Sequence, residues 1–79
     1  MTEISTTRLT LITRPGCHLC DDAKQVLERI GEPFAEWNVE SSLELEDEYG
    51  DRVPVVLLDG KEHGYWRVEE ERLRRDLAR

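Results

Sequence analysis

The two cysteines of this 79-residue chain, Cys17 and Cys20, are separated by two residues in TRPGCHLCDDAKQVLERI (13–30). Cysteines at this spacing can close a short disulfide, supply half of a tetrahedral metal site, or cycle between thiol and disulfide. Their position in the chain narrows the choice. A strand-like stretch, RLTLIT (8–13), runs into the turn signal RPG, and beyond the cysteines Ala23, Val26, Leu27 and Ile30 recur at helical spacing. Cys17 therefore falls at a helix N-terminus, where unpaired N–H groups favour an anion and a thiol ionises more readily. Cys20, about one turn further in, is expected to be more buried and suited to resolving a mixed disulfide. His18 stands between them. Protonated, it would ease ionisation of Cys17 further; neutral, it could donate a hydrogen bond to sulfur. The plainer alternative is an exposed polar residue.

The other uses of such a pair fit less well. A zinc site needs four ligands, and only His18 and His63 could join the cysteines, with His18 directly beside Cys17. An iron–sulfur cluster would draw ligands from a second subunit or a small thiol. A permanent structural disulfide suits secreted chains better than cytoplasmic ones. Redox chemistry is the favoured reading, and no metal is expected.

Three helices and four strands must carry this pair. FAEWNVE (34–40) places Ala35, Trp37 and Val39 on one face of a strand. SSLELEDEYG (41–50) reads as a short helix capped by Ser41 or Ser42 and closed by Gly50. VPVVLLDG (53–60) is a continuous apolar run fit for a strand buried on both faces. A tight turn at Asp59-Gly60 joins it to a second strand, KEHGYWRV (61–68), and EEERLRRDLAR (69–79) ends the chain as a helix. The order β-α-β-α-β-β-α implies a parallel pair with a crossover plus an antiparallel hairpin, a small α/β domain spanning 1–79. Pro54 is unwelcome inside a central strand. At a strand's first position, particularly in cis, it leaves the preceding backbone at Val53 open to pairing with another chain.

Composition excludes several functions. The net charge of −7, with seven carboxylates and no Lys or Arg between 36 and 51, opposes nucleic acid or anionic lipid as partner. That acidic stretch reads as a solvated helix face or as a surface that steers cationic partners in. No apolar stretch approaches membrane-spanning length, and MTEISTTRLTLITRPG (1–16) lacks the pattern of a signal peptide. A cytoplasmic monomer is expected.

Taken together, RPGCHLC and RVPVVLLDG resemble the active-site loop and the Val-Pro segment of the thioredoxin superfamily, and of small bacterial glutaredoxin-like proteins with a Cys-His-Leu-Cys loop in particular. The resemblance runs over residues 8–79. It implies a single-domain thioredoxin fold, a mixed four-stranded sheet flanked by helices, with Cys17 as nucleophile, Cys20 as resolving thiol, and Pro54 in cis beside them, with His18 and Val53 supporting. It places Arg14 where glutaredoxins often carry a glutathione-contacting Lys, and makes Gly64, Tyr65 and Trp66 candidates for binding a thiol substrate. Two positions depart from the family pattern. Arg52 replaces the usual Thr before Val-Pro, and HGYWR (63–67) replaces a Gly-Gly followed by Asp.

The expected activity is thiol–disulfide oxidoreduction on protein or low-molecular-weight mixed disulfides, without a tightly bound cofactor. Glutathione, another small thiol, or a reductase would return the electrons. The alternative is a catalytically weak or inert thioredoxin-fold binding module that docks a partner through the Pro54 strand and the acidic surface.

Overall fold

Alternation along β1 (Leu9–Thr13) and β3 (Val55–Leu58) organises the molecule. Successive side chains of a strand point to opposite faces. Leu9 and Leu11 thus join Val56 on one face of the sheet, while Ile12, Val55 and Leu57 lie on the other. The first face is covered by α1 (His18–Ile30) and α3 (Glu70–Leu77), which contribute Ala23, Leu27 and Leu73. Behind the second face stand a 3-10 turn (Val39–Ser41) and α2 (Leu43–Tyr49), bringing Val39, Leu45 and Tyr49. A computed structural model describes residues 7–79. The first six residues, which the one-domain and signal-peptide readings include, lie outside the described residues.

The sheet order is β2-β1-β3-β4, with β2 at Phe34–Asn38 and β4 at Lys61–Tyr65. β1 runs parallel to β2 and antiparallel to β3, and β3 and β4 form the hairpin. This is the mixed sheet with three helices that the sequence implies. Val55, Val56 and Leu57 are all buried, because their strand is central and flanked by helices on both faces. The hairpin turns on Asp59 and Gly60, both at positive φ (53° and 84°), as a two-residue turn of this hand requires. Arg8 holds that turn through two hydrogen bonds to the Asp59 carboxylate, at 3.0 and 2.9 Å, and a third to the Leu77 carbonyl at 3.0 Å.

Helix ends follow their local chemistry. Gly31, at φ 90°, closes α1 with its amide on the Leu27 carbonyl. Ser42, not Ser41, caps α2, accepting from the Leu45 amide at 3.0 Å. Several boundaries differ from the sequence reading: β3 begins at Val55, one residue after Pro54, and α3 covers Glu70–Leu77 only. The strand expected over 34–40 stops at Asn38, whose side chain caps the 3-10 turn by accepting from the Glu40 amide. Val39 is therefore buried in that turn, whereas Trp37 stays 44% exposed on an edge strand. Likewise β4 stops at Tyr65 and not at Val68, because Trp66 takes a positive φ of 68° that no strand can continue.

Candidate active site

Cys17 is the N-cap of α1. Its backbone is extended, and its Sγ accepts from the Cys20 amide at 3.1 Å. Negative charge developing on this sulfur thus meets a helix N–H donor. Cys17 is half-buried and Cys20, three residues on, is only 4% exposed. Both are free thiols. Burial first, then the contact with Cys17, pushes the Cys20 thiol up to about 12. The pair therefore divides into an accessible sulfur against the helix end and a protonated one behind it. His18 is the first residue of α1 and lies exposed.

Arg14 fixes the loop that delivers these residues. Its guanidinium donates to Glu46 Oε2 at 2.8 Å, Glu40 Oε2 at 3.0 Å and the Gly50 carbonyl at 3.0 Å. Glu46 first, and then Glu40, raises the Arg14 pKa above its ordinary value. Arg14 thus ties the cysteine loop to α2 and the 3-10 turn. Behind the loop, Cys20, Thr13, Arg14, Lys24, Glu36 and Asn38 line a cavity of about 370 Å³. In its wall the Glu36 carboxylate accepts from Thr13 Oγ1 and from Lys24 Nζ, both at 3.1 Å. None of these partners is readable from the sequence, because each lies far away along the chain.

The second loop of the site arrives through sheet register. Ile12 pairs with Val55, so the loop after β1 and the loop before β3 leave the sheet at the same end. The Val53-Pro54 bond is cis, Pro54 is buried, and Val53 packs against the second core cluster. Tyr65 pairs with Val55, which brings the end of β4 and Trp66 to this end as well, with Gly64 one residue back, opposite Val56. Tyr65 and Trp66 are 46% and 55% exposed and meet edge to face, with ring centroids 5.1 Å apart. Arg52, the departure from the family pattern, lies over the Tyr49 ring and is hydrogen-bonded to both carboxylate oxygens of Glu62. His63 does not join the cysteines; its Nε2 lies 2.8 Å from Asp76 Oδ2 on α3.

The sequence profile of the Glutaredoxin-like domain (DUF836) matches residues 8–78. An uncharacterized protein of Mycobacterium tuberculosis, Rv0508, is 39% identical over 96% of this chain and 88% of its own. A structural genomics target from X. campestris, XcR50, superposes with a TM-score of 0.76 at 38% identity, covering 89% of this chain and 95% of that one. The holo form of glutaredoxin C1 from Populus tremula x tremuloides gives a TM-score of 0.66 at 22% identity, over 94% and 82% of the two chains. That last likeness concerns the fold alone.

Proposed function

Because this chain belongs to the glutaredoxin-like domain family of the thioredoxin superfamily, we propose that it is a thiol–disulfide oxidoreductase working through Cys17 and Cys20. The observation that carries the reading is the asymmetry of the pair: a half-exposed sulfur at a helix N-cap, backed by a buried, protonated thiol one turn away. In the first step the Cys17 thiolate attacks one sulfur of a substrate disulfide R–S–S–R′. The S–S bond breaks, R′–S⁻ leaves and takes a proton from solvent, and Cys17 is joined to R. In the second, Cys20 gives up its proton and its sulfur attacks Cys17 Sγ, releasing R–SH. The substrate has gained two electrons and two protons, and the protein holds the Cys17–Cys20 disulfide. Glutathione, another small thiol, or a dithiol reductase would reverse that oxidation. No metal and no tightly bound cofactor takes part.

The remaining residues have supporting roles in this reading. Val53, ahead of cis-Pro54, offers backbone to an extended substrate segment. Tyr65 and Trp66 wall the approach to Cys17, with Gly64 behind them. Arg14 acts by holding the loop, and His18 borders the nucleophile. A cytoplasmic site of action is part of this proposal; no helix among the described residues is long and apolar enough to cross a membrane.

Cys17→Ser and Cys20→Ser variants test the mechanism. Cys17→Ser is expected to abolish turnover of a mixed disulfide, whereas Cys20→Ser accumulates a covalent adduct on Cys17, visible by intact-mass measurement. Wild-type turnover by Cys17→Ser refutes the assignment. A rival reading, an inert docking module, draws on Leu43, which is 83% exposed on the acidic helix α2. It predicts normal partner binding with both cysteines replaced and no turnover in the wild type.

A further inference from the structure

Trp66 is held in a conformation that an aromatic residue rarely adopts. Its φ of 68° lies in the left-handed region that L-residues other than asparagine and aspartate seldom visit. Three hydrogen bonds keep it there. Its amide donates to the carbonyls of Pro54 at 2.8 Å and Arg52 at 3.3 Å, and its indole Nε1 donates to the Asp51 carbonyl at 3.3 Å. The ring is fixed yet more than half exposed. Together with Leu19, Val26 and Val68 it forms a groove of about 120 Å³, with Ala23 on its floor and Asp22 and Arg67 at the rim. Leu19 lies between the two cysteines and is itself 52% exposed. The groove therefore starts at the nucleophile's own helical turn.

Size and charge together select an occupant. An apolar cavity of about 150 Å³ takes a benzene-sized guest, so this groove suits one aliphatic side chain. Most cations around the site are already answered by carboxylates, Arg14 by Glu40 and Glu46, Lys24 by Glu36, Arg52 by Glu62, and Arg67 by Glu69, while Arg72 donates to the His63 carbonyl. Such pairing leaves these side chains little to offer the carboxylates of an anionic thiol such as glutathione. The chain's net charge of −7 disfavours that ligand further. A neutral or basic peptide meets no such opposition.

From this geometry we propose that the groove between α1 and Trp66 seats an aliphatic side chain next to the disulfide-bonded cysteine of a peptide, making protein disulfides the preferred substrate class. The proposal rests on the oxidoreductase reading above and adds its specificity. Trp66 and Leu19 are the specificity-determining residues. Trp66 also acts through its bonds to the Asp51–Pro54 loop, which fix the wall in place.

Two short neutral peptides that differ in one residue beside a single cysteine, Leu or Ser, test this. Each is joined as a mixed disulfide to a thionitrobenzoate leaving group, and a glutathione–thionitrobenzoate disulfide is run alongside. The protein is first reduced and freed of reductant, and its single-turnover release of the coloured thiol gives the second-order rate constant for each disulfide. The Leu peptide should react about tenfold faster than the Ser peptide, the lower end of what burying such a side chain yields, because the groove is open on one side. Leu19→Ser and Trp66→Ala should each reduce that ratio to about twofold, and Trp66→Phe, which keeps an apolar wall, should retain most of it. Equal rates for the two peptides with the wild type overturn the proposal and leave the oxidoreductase reading standing. Preference retained in both Leu19→Ser and Trp66→Ala overturns the placement in this groove. A glutathione adduct that outpaces both peptides overturns the substrate class. Absence of turnover on all three disulfides refutes the oxidoreductase reading itself.

Discussion

Alkylation of Cys20 offers a quantitative check on the buried half of the redox pair. An ordinary thiol titrates near 8.5, so at about pH 8 roughly a quarter of it is thiolate. With Cys20 held at about 12, only about one molecule in ten thousand is thiolate at that pH. A more basic thiolate is also the better nucleophile. With a Brønsted slope of about 0.4–0.5, this recovers roughly 25- to 60-fold of the deficit of about 2,400-fold. Cys20 in the native protein should therefore react with iodoacetamide about 40- to 100-fold more slowly than a free thiol. Its 4% exposure can only slow it more. The assay is a time course of labelling at fixed pH, with each site quantified by mass spectrometry after quenching, and repeated in concentrated urea. Cys17 should take the label first in the native protein, and the two sites should converge in urea. If native Cys20 reacts within fivefold of its rate in urea, the burial that raises its pKa is not present in solution. The division of labour drawn from it would then fail as well.

Three further outcomes follow from the packing and charges. Leu27→Ala removes a fully buried side chain that contacts the cluster of Leu9, Leu11, Val56 and Leu73. It should cost about 2–5 kcal/mol in urea unfolding, a large share of the roughly 4–12 kcal/mol expected for a chain of this length; a loss under about 1 kcal/mol would contradict the core described. Glu70 is held down to about 2, against an ordinary 4.5, by its hydrogen bonds to Arg29 and then Arg74. Because its pKa is lower folded than unfolded, the stabilisation is complete above the ordinary value and fades as pH falls from about 4.5 towards 2. Thermal melts should then show a shallower loss of Tm over that window in Glu70→Gln than in the wild type; parallel curves would count against the two ion pairs. Gly31→Ala should destabilise by about 1 kcal/mol through backbone conformation alone, since a Cβ there would meet nothing within 4 Å; an unchanged or raised unfolding midpoint would reject the left-handed cap.

What the sequence discloses here is local. The Cys17–Cys20 spacing, the helix that follows it, Asp59-Gly60 and the run beginning at Val53-Pro54 are short-range signals, and each stands in the structure where its chemistry places it. Arg14 shows the opposite case. Its partners lie 26, 32 and 36 residues onward and are set by the fold, so no short-range pattern announces them. Trp37 fits a strand pattern, but β2 is an edge strand and its ring stays exposed. Trp66 carries no sequence signal for a positive φ, since glycine, asparagine and aspartate are the usual residues there. The groove it walls was for that reason invisible until the coordinates placed Val26 and Val68 beside it.

The position of β1 also sets an order of events for a chain in the act of folding. Among the strands of the described residues it is the first in the chain, yet it lies between β2 and β3, with β3 arriving last of the three. Closing β3 onto it brings together Ile12 and Val55, 43 residues apart, and closure entropy of that kind makes such contacts slow relative to a helix turn. The two loops that flank the site, one trailing β1 and one leading β3, meet only in that event. A nascent chain thus carries Cys17 and Cys20 through synthesis as a local helix start without its opposing loop. The complete site arrives together with completion of the sheet.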